Sequence, residues 1–153
     1  MLRLSIVGDK ERAFLRELVR HRVPFVMVGL SAATLQGAPV VTQDIDLWFK
    51  NLRHPGIAKA LKKVDGVYVP SIGRNPPMFA GEGVELFDIV MTMDGLDGFD
   101  EEFKRAIDVP IDRFMVMVLP LERIIKSKQA AKRPKDVAAL PVLKETLRVS
   151  KGK

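Results

Sequence analysis

The sequence predicts an α+β fold in which a β-sheet is covered by helices. Three observations lead there. Short apolar runs bounded by turn residues recur as strand candidates. Stretches with apolar residues three and four apart recur as helix candidates. The two kinds interleave from one end of the chain to the other. The 153 residues suit one domain with one core, expected over residues 1–149, with a frayed tail over 150–153.

Asp9 to Arg22 predicts the first helix. Asp9 caps it, Phe14, Leu15, Leu18 and Val19 form its buried stripe, and His21 and Arg22 suit its negative end. Phe25-Val26-Met27-Val28 reads as a short buried strand. Ser31 to Gln36 predicts a short helix, with Ser31 as cap and Gly37 as stop. Thr42 to Phe49 reads as a strand, and Pro55 to Val64 as a helix with Ile57, Ala60, Leu61 and Val64 on its apolar side. Val67-Tyr68-Val69 is a strand ending at Pro70. Ser71 to Pro77 holds Gly73, Pro76 and Pro77 and predicts an irregular loop. Val84 to Met93 predicts a strand, Asp97 to Asp108 a helix with an acidic start, and Met115 to Leu119 a last strand. Leu121 to Ala131 and Pro134 to Val149 predict helices, the second kinked or split by Pro141. Met91, Met93, Met115 and Met117 alternate on strands and are assigned to the core. His21 and His54 occur singly and far from the acids, which gives no support to histidine–metal or Ser–His chemistry.

Composition narrows the functional classes. Hydrophobic residues make up 47% and charged residues 29%, the balance of a globular rather than a disordered chain. No cysteine is present, which excludes a disulfide scaffold and a thiolate zinc site and fits a reducing compartment. The longest apolar stretches, Val23 to Leu30 and Phe114 to Leu119, are too short to span a bilayer. Gly8-Asp9-Lys10-Glu11-Arg12 interrupts any signal-like apolar segment, so the cytoplasm is the expected location and no membrane partner is expected. The net charge is +6, and residues 120–153 hold ten Lys or Arg against three acids. Such a cationic block facing acidic residues suits a polyphosphate or RNA ligand; a solvated helix face accounts for it equally well.

Three carboxylates carry the chemical argument. In Thr42-Gln43-Asp44-Ile45-Asp46-Leu47-Trp48-Phe49, Asp44 and Asp46 share one strand face while Ile45, Leu47 and Phe49 point into a core. Two neighbouring acids repel, and a divalent cation between them removes that repulsion and adds a Lewis acid. A wet strand edge is the simpler account of the spacing, but Trp48 follows on the same face. Asp88 lies in Leu86-Phe87-Asp88-Ile89-Val90, where an ionised acid is costly unless it is paired or bound to a cation. Arg74 or Lys128 would serve as a partner; a third carboxylate beside Asp44 and Asp46 would instead complete a cage for one or two Mg²⁺ (or Mn²⁺) ions.

Gly29-Leu30-Ser31 lies between a strand and a helix. Gly29 allows a phosphate close to the backbone, and Ser31 either binds that phosphate or caps its own helix. Lys128 stands at the edge of the stripe set by Leu121, Ile124 and Ile125, so it is the lysine placed to reach inward, whereas Lys126 pairs naturally with Glu122. Arg133, Lys135 and Asp136 open the next helix around Pro134, an arrangement suited to anion binding or to ordinary helix initiation.

Taken in order, these pieces resemble the nucleotidyltransferase superfamily, the polymerase-beta-like fold. Its members carry a small-residue turn, a short helix, Asp-hydrophobic-Asp on a strand, and a third acid on a later strand. Val26 to Phe49 looks most like the minimal and toxin-associated bacterial and archaeal members, and Lys128-Gln129-Ala130-Ala131-Lys132-Arg133-Pro134-Lys135-Asp136 is similar to their basic segment. The resemblance runs from about Pro24 to Leu143 and implies a mixed sheet flanked by helices. It implies Mg²⁺ or Mn²⁺ on Asp44, Asp46 and Asp88, with Asp88 a ligand or general base. It implies a nucleoside triphosphate held by Gly29, Ser31, Lys128, Arg133 and Lys135. The acceptor hydroxyl would belong to an RNA, a protein or a small molecule. Leu30 stands where the family usually has Gly or Ser, and Val40 and Val41 stand where many relatives have Arg. The alternative reading is a catalytically weak binding module in a toxin–antitoxin or RNA-binding complex; a metal-dependent phosphoesterase is a third.

Overall fold

The computed structural model describes residues 7–152. Helix α1 (Asp9–Arg20) buries Phe14, Leu15 and Leu18; Gly8 rather than Asp9 stands at its cap, and Asp9 pairs with Arg12 one turn on. The helix ends two residues earlier than expected because Arg22 turns into the left-handed region, φ 56°. Strand β1 (Phe25–Val28) is buried throughout and runs directly into α2 (Gly29–Leu35). The cap of α2 is therefore Val28, not Ser31. Strand β2 (Ile45–Phe49) is followed by α3 (Pro55–Lys63), where Pro55 opens the helix and the His54 ring accepts a hydrogen bond from Gly56 N at 3.0 Å. His54 is thus a helix cap.

Strands β3 (Val67–Val69) and β4 (Met78–Ala80) form a separate antiparallel pair around the Ser71–Pro77 loop. Strand β5 (Phe87–Val90) is shorter than the expected Val84–Met93, because Val84–Leu86 form a turn. Helix α4 (Phe99–Arg105) also ends early, and Asp108 lies in β6 (Ile107–Ile111), paired with β7 (Phe114–Val118). Pro110 is tolerated because β6 is an edge strand. Helices α5 (Leu121–Ala131) and α6 (Pro134–Lys151) close the chain. Helix α6 continues unbroken through Pro141 and includes Ser150 and Lys151, the first part of the expected frayed tail; Lys153 lies outside the described residues.

The main sheet has the order β5-β2-β1-β7-β6 and is mixed: β1 runs antiparallel to β2 and parallel to β7, while β2 runs parallel to β5. One sheet face carries Ile45, Leu47 and Phe49 into the apolar cluster. The other carries Asp46 and Trp48. Trp48 is only 1% exposed, donates from Nε1 to Met91 O at 3.0 Å and meets the Phe99 ring edge-on at 5.8 Å. Both faces of β2 are therefore covered beyond Asp46. Phe14, with Phe79 at 5.4 Å and Phe87 at 5.0 Å, ties the β3–β4 pair to the same core. The methionines depart from expectation. Met91 and Met115 are 44% and 47% exposed, and Met93 and Met117 are half-buried: Met91 and Met93 lie beyond the end of β5, and Met115 and Met117 alternate with the buried Val116 and Val118 on the other face of β7. Among the described residues, no helix is long and apolar enough to cross a membrane.

Candidate active site

Register alone brings two of the expected acids together. Strand β2 pairs with β5 so that Asp46 stands opposite Asp88, and on its other side Asp46 stands opposite Val28, the last residue of β1. A cavity of about 350 Å³ opens over these positions. It is lined by Gly29, Asp46 and Asp88 from the sheet side and by Lys128, Arg133 and Lys135 from α5 and the start of α6.

The acids feel one another. Burial pushes the Asp46 carboxyl up to about 6, and the charges of Asp88 and Asp44 push in the same direction, against Lys128 and Lys135. Asp88 is also raised, first by burial and then by Asp44, while a hydrogen bond from Asp46 and the charge of Lys135 lower it. Two carboxyls that share a proton are the expected state of such a pair with no cation between them. Asp44 lies just before β2, is exposed and does not line the cavity; it reaches the pair through its field. The closed three-carboxylate cage expected from the sequence does not form. Among the described residues, no three His, Cys, Asp or Glu groups converge in that way. The backbone ends its β2 ladder at Ile45, which leaves Asp44 in the preceding loop.

Gly29 is required by geometry. Its φ is +68°, and a Cβ added there would fall on Asp46 Oδ2. Ser31 has a different role from the one expected. It is fully buried, donates to Val28 O at 2.9 Å and accepts from Asp46 N at 3.2 Å, so it fastens α2 to the start of β2 and does not line the cavity. Leu30 turns toward the apolar core, which leaves Gly29 as the turn residue facing the cavity.

On the cationic side, Lys128 does reach inward, but its ion-pair partner is Asp136 rather than Asp88. Asp136 is fully buried and accepts from Lys128 Nζ at 3.2 Å and from Arg133 Nε at 2.6 Å. These donors hold its carboxyl below the usual range against the effect of burial. It also completes a capping box with the Arg133 backbone. Asp136 therefore fixes two cations at the cavity wall. Lys135 forms no ion pair among the described residues. Arg74 pairs with no acid among the described residues, and the expected Glu122–Lys126 pair is not formed.

Two features escaped the sequence reading. Glu102, assigned to an acidic helix start, is fully buried; Arg123 donates to it twice, at 2.9 and 2.6 Å, and Arg105 and the Asp97 amide donate as well. This clamp joins α4 to α5 and removes Arg123 from the free basic block. Ser127 on α5 is buried and lines the cavity. The apolar spacing of α5 marks its inner face, so Ser127 was findable as a polar residue on that face.

The donor set suits a hard divalent cation. Asp46 and Asp88 line the cavity side by side and disfavour each other's charge, and Mg²⁺ is commonly held by one or two carboxylates, with water and phosphate completing its shell. No thiolate or imidazole lies in the lining, which disfavours zinc.

No known protein-family model matches the sequence, and no curated protein is significantly similar to it. Solved structures do match in fold. The crystal structure of ANT(2'')-Ia in complex with adenylyl-2''-tobramycin aligns with a TM-score of 0.60 at 17% identity, over 92% of this chain and 88% of that one. The solution structure of the antibiotic-resistance factor ANT(2'')-Ia aligns with a TM-score of 0.63 at 16% identity, over 90% and 82%. With its mixed five-stranded sheet and flanking helices, the chain has the α+β fold of these nucleotidyltransferases.

Proposed function

We propose that the chain is a metal-dependent nucleotidyltransferase. It would move a nucleoside monophosphate from a nucleoside triphosphate to a hydroxyl acceptor and release pyrophosphate. The observation that carries this reading is one cavity with Asp46 and Asp88 on one wall and Lys128, Arg133 and Lys135 on the other. Opposed walls of that kind match a polyphosphate whose negative charge is shared between a cation and basic side chains.

In this reading Asp46 and Asp88 hold Mg²⁺ or Mn²⁺, with Asp44 as an outer ligand. The ion would supply charge neutralisation and polarise the phosphate oxygens. Arg133 and Lys135 bind the β- and γ-phosphates, and Lys128, anchored by Asp136, stands nearest the reacting phosphate. The acceptor oxygen forms its bond to the α-phosphorus as the bond from that phosphorus to the bridging oxygen breaks. Asp88 takes the acceptor's proton, and pyrophosphate leaves with the bond's electron pair, its charge met by the three cations. Gly29 keeps the Asp46 carboxylate unobstructed.

The ANT(2'')-Ia structure with adenylyl-2''-tobramycin makes a small hydroxylated molecule the first acceptor class to test. RNA and protein acceptors come second, drawn by the basic residues outside the cavity. A binding module with little catalysis draws support from the exposed position of Asp44. Incubation with each α-labelled triphosphate, Mg²⁺ or Mn²⁺, and in turn total RNA, lysate and aminoglycosides separates these readings. Label transferred by wild type but not by Asp46→Asn or Asp88→Asn supports the enzyme. Nucleotide binding without transfer to anything supports the module.

A further inference from the structure

The cavity has a third zone that the phosphate and metal assignments leave unused. Val90, Met93, Ile124 and Ala131 bring apolar surface to it, Thr92 and Asp94 line it on either side of Met93, and Ser127 lies between Ile124 and Ala131 on one helical face. Ser127 is 6% exposed, and among the described residues its hydroxyl has no hydrogen-bond partner. Other helical hydroxyls in this chain behave differently. Thr34 donates to Leu30 O at 2.9 Å and Thr146 to Val142 O at 2.8 Å, each bonding the carbonyl four residues back. A buried hydroxyl is rarely left unpaired, and one that faces a cavity is free to bond an atom of whatever fills it. Its sequence neighbour Lys128 faces the same cavity, so a ligand whose phosphates meet Lys128 extends its next part toward Ser127.

We propose that Ser127 is a specificity-determining residue whose hydroxyl bonds the uncharged nucleoside of the donor, at a ribose hydroxyl or a base edge. The inference rests on the nucleotidyl-transfer reading. Apolar surface beside a buried neutral hydroxyl suits a sugar or base, whereas a phosphate belongs with the cations.

The test compares wild type and Ser127→Ala by calorimetric titration with the four NTPs, the four 2'-deoxy NTPs and inorganic triphosphate, each with Mn²⁺. Circular dichroism checks that the variant folds. The variant is expected to bind NTPs roughly 3–10-fold more weakly, the loss of one hydrogen bond, and to bind inorganic triphosphate as wild type does. A loss that vanishes with 2'-deoxy NTPs assigns the contact to the ribose; a loss that persists and differs among the bases assigns it to the base. Unchanged NTP affinities, or an equal loss for inorganic triphosphate, overturn the role of Ser127 while leaving nucleotide binding intact. Failure of wild type to bind any NTP overturns both this inference and the functional reading.

Discussion

Replacing Asp46 by Asn should stabilise the metal-free protein while removing the proposed nucleotidyl transfer. A carboxyl whose pKa is higher in the folded than in the unfolded chain binds its proton more tightly when folded. Its ionisation therefore works against folding. That penalty is absent below about pH 4, grows as pH rises from the unfolded value to the folded one, and is complete above it. For Asp46 the two values are 3.8 and about 6. At 1.36 kcal/mol per pH unit the difference is about 3 kcal/mol, an upper figure because Asp46 and Asp88 titrate as a coupled pair. In a domain of this size about 3 kcal/mol corresponds to roughly 6–12 °C in Tm. The assay is thermal unfolding in EDTA between about pH 5 and pH 7.5, wild type against Asp46→Asn. Asp136 and Glu102, whose carboxyls are lowered, lose their stabilising contribution only in more acid solution, outside this window. Wild type should lose stability as pH rises while the variant stays nearly level, the gap widening to neutral pH. Mg²⁺ should restore wild type and leave the variant unchanged. A variant less stable than wild type at pH 7 in EDTA would show that the Asp46 charge does not oppose folding.

Three further predictions follow from the same geometry. Glu102→Ala removes a fully buried acceptor of four hydrogen bonds and leaves Arg123 without its partner, so urea denaturation should register a loss of about 3 kcal/mol, the low end for a buried pair because Arg105 is partly exposed. Gly29→Ala forces a side chain into the left-handed region and onto the Asp46 carboxylate; about 1–2 kcal/mol of stability should go, and Mn²⁺ affinity measured by titration should fall at least tenfold. Lys135→Ala should leave Tm within a degree or two, since the residue is exposed and forms no ion pair among the described residues, yet raise the KM for triphosphate and flatten its dependence on salt.

The sequence revealed most where side-chain periodicity and backbone geometry agree. The runs Phe25–Val28 and Leu121–Ala131 match β1 and α5 residue for residue because each has an apolar face that must be buried. Asp46 and Asp88 were legible for a related reason: an acid set in an apolar strand is expensive, and the strand pairing that brings the two together is the one that buries Ile45, Leu47 and Phe87. Long-range pairing was not legible. Nothing near Glu102 in sequence points to Arg123, 21 residues away, and the helix expected to reach Asp108 gives way after Arg105 to an edge strand whose only support is its pairing with β7. Ser31 shows the limit of local motif reading. Its hydroxyl fits both a phosphate and a buried backbone bond, and only the approach of β2 to α2 decides between them.

Anomalous scattering from Mn²⁺ in crystals of the protein with a non-hydrolysable triphosphate locates the cation relative to the acids. A manganese peak is expected between the carboxylates of Asp46 and Asp88, with phosphate oxygens on it and Lys128, Arg133 and Lys135 along the phosphate chain. Manganese bound elsewhere, with neither Asp46 nor Asp88 on it, would contradict this assignment.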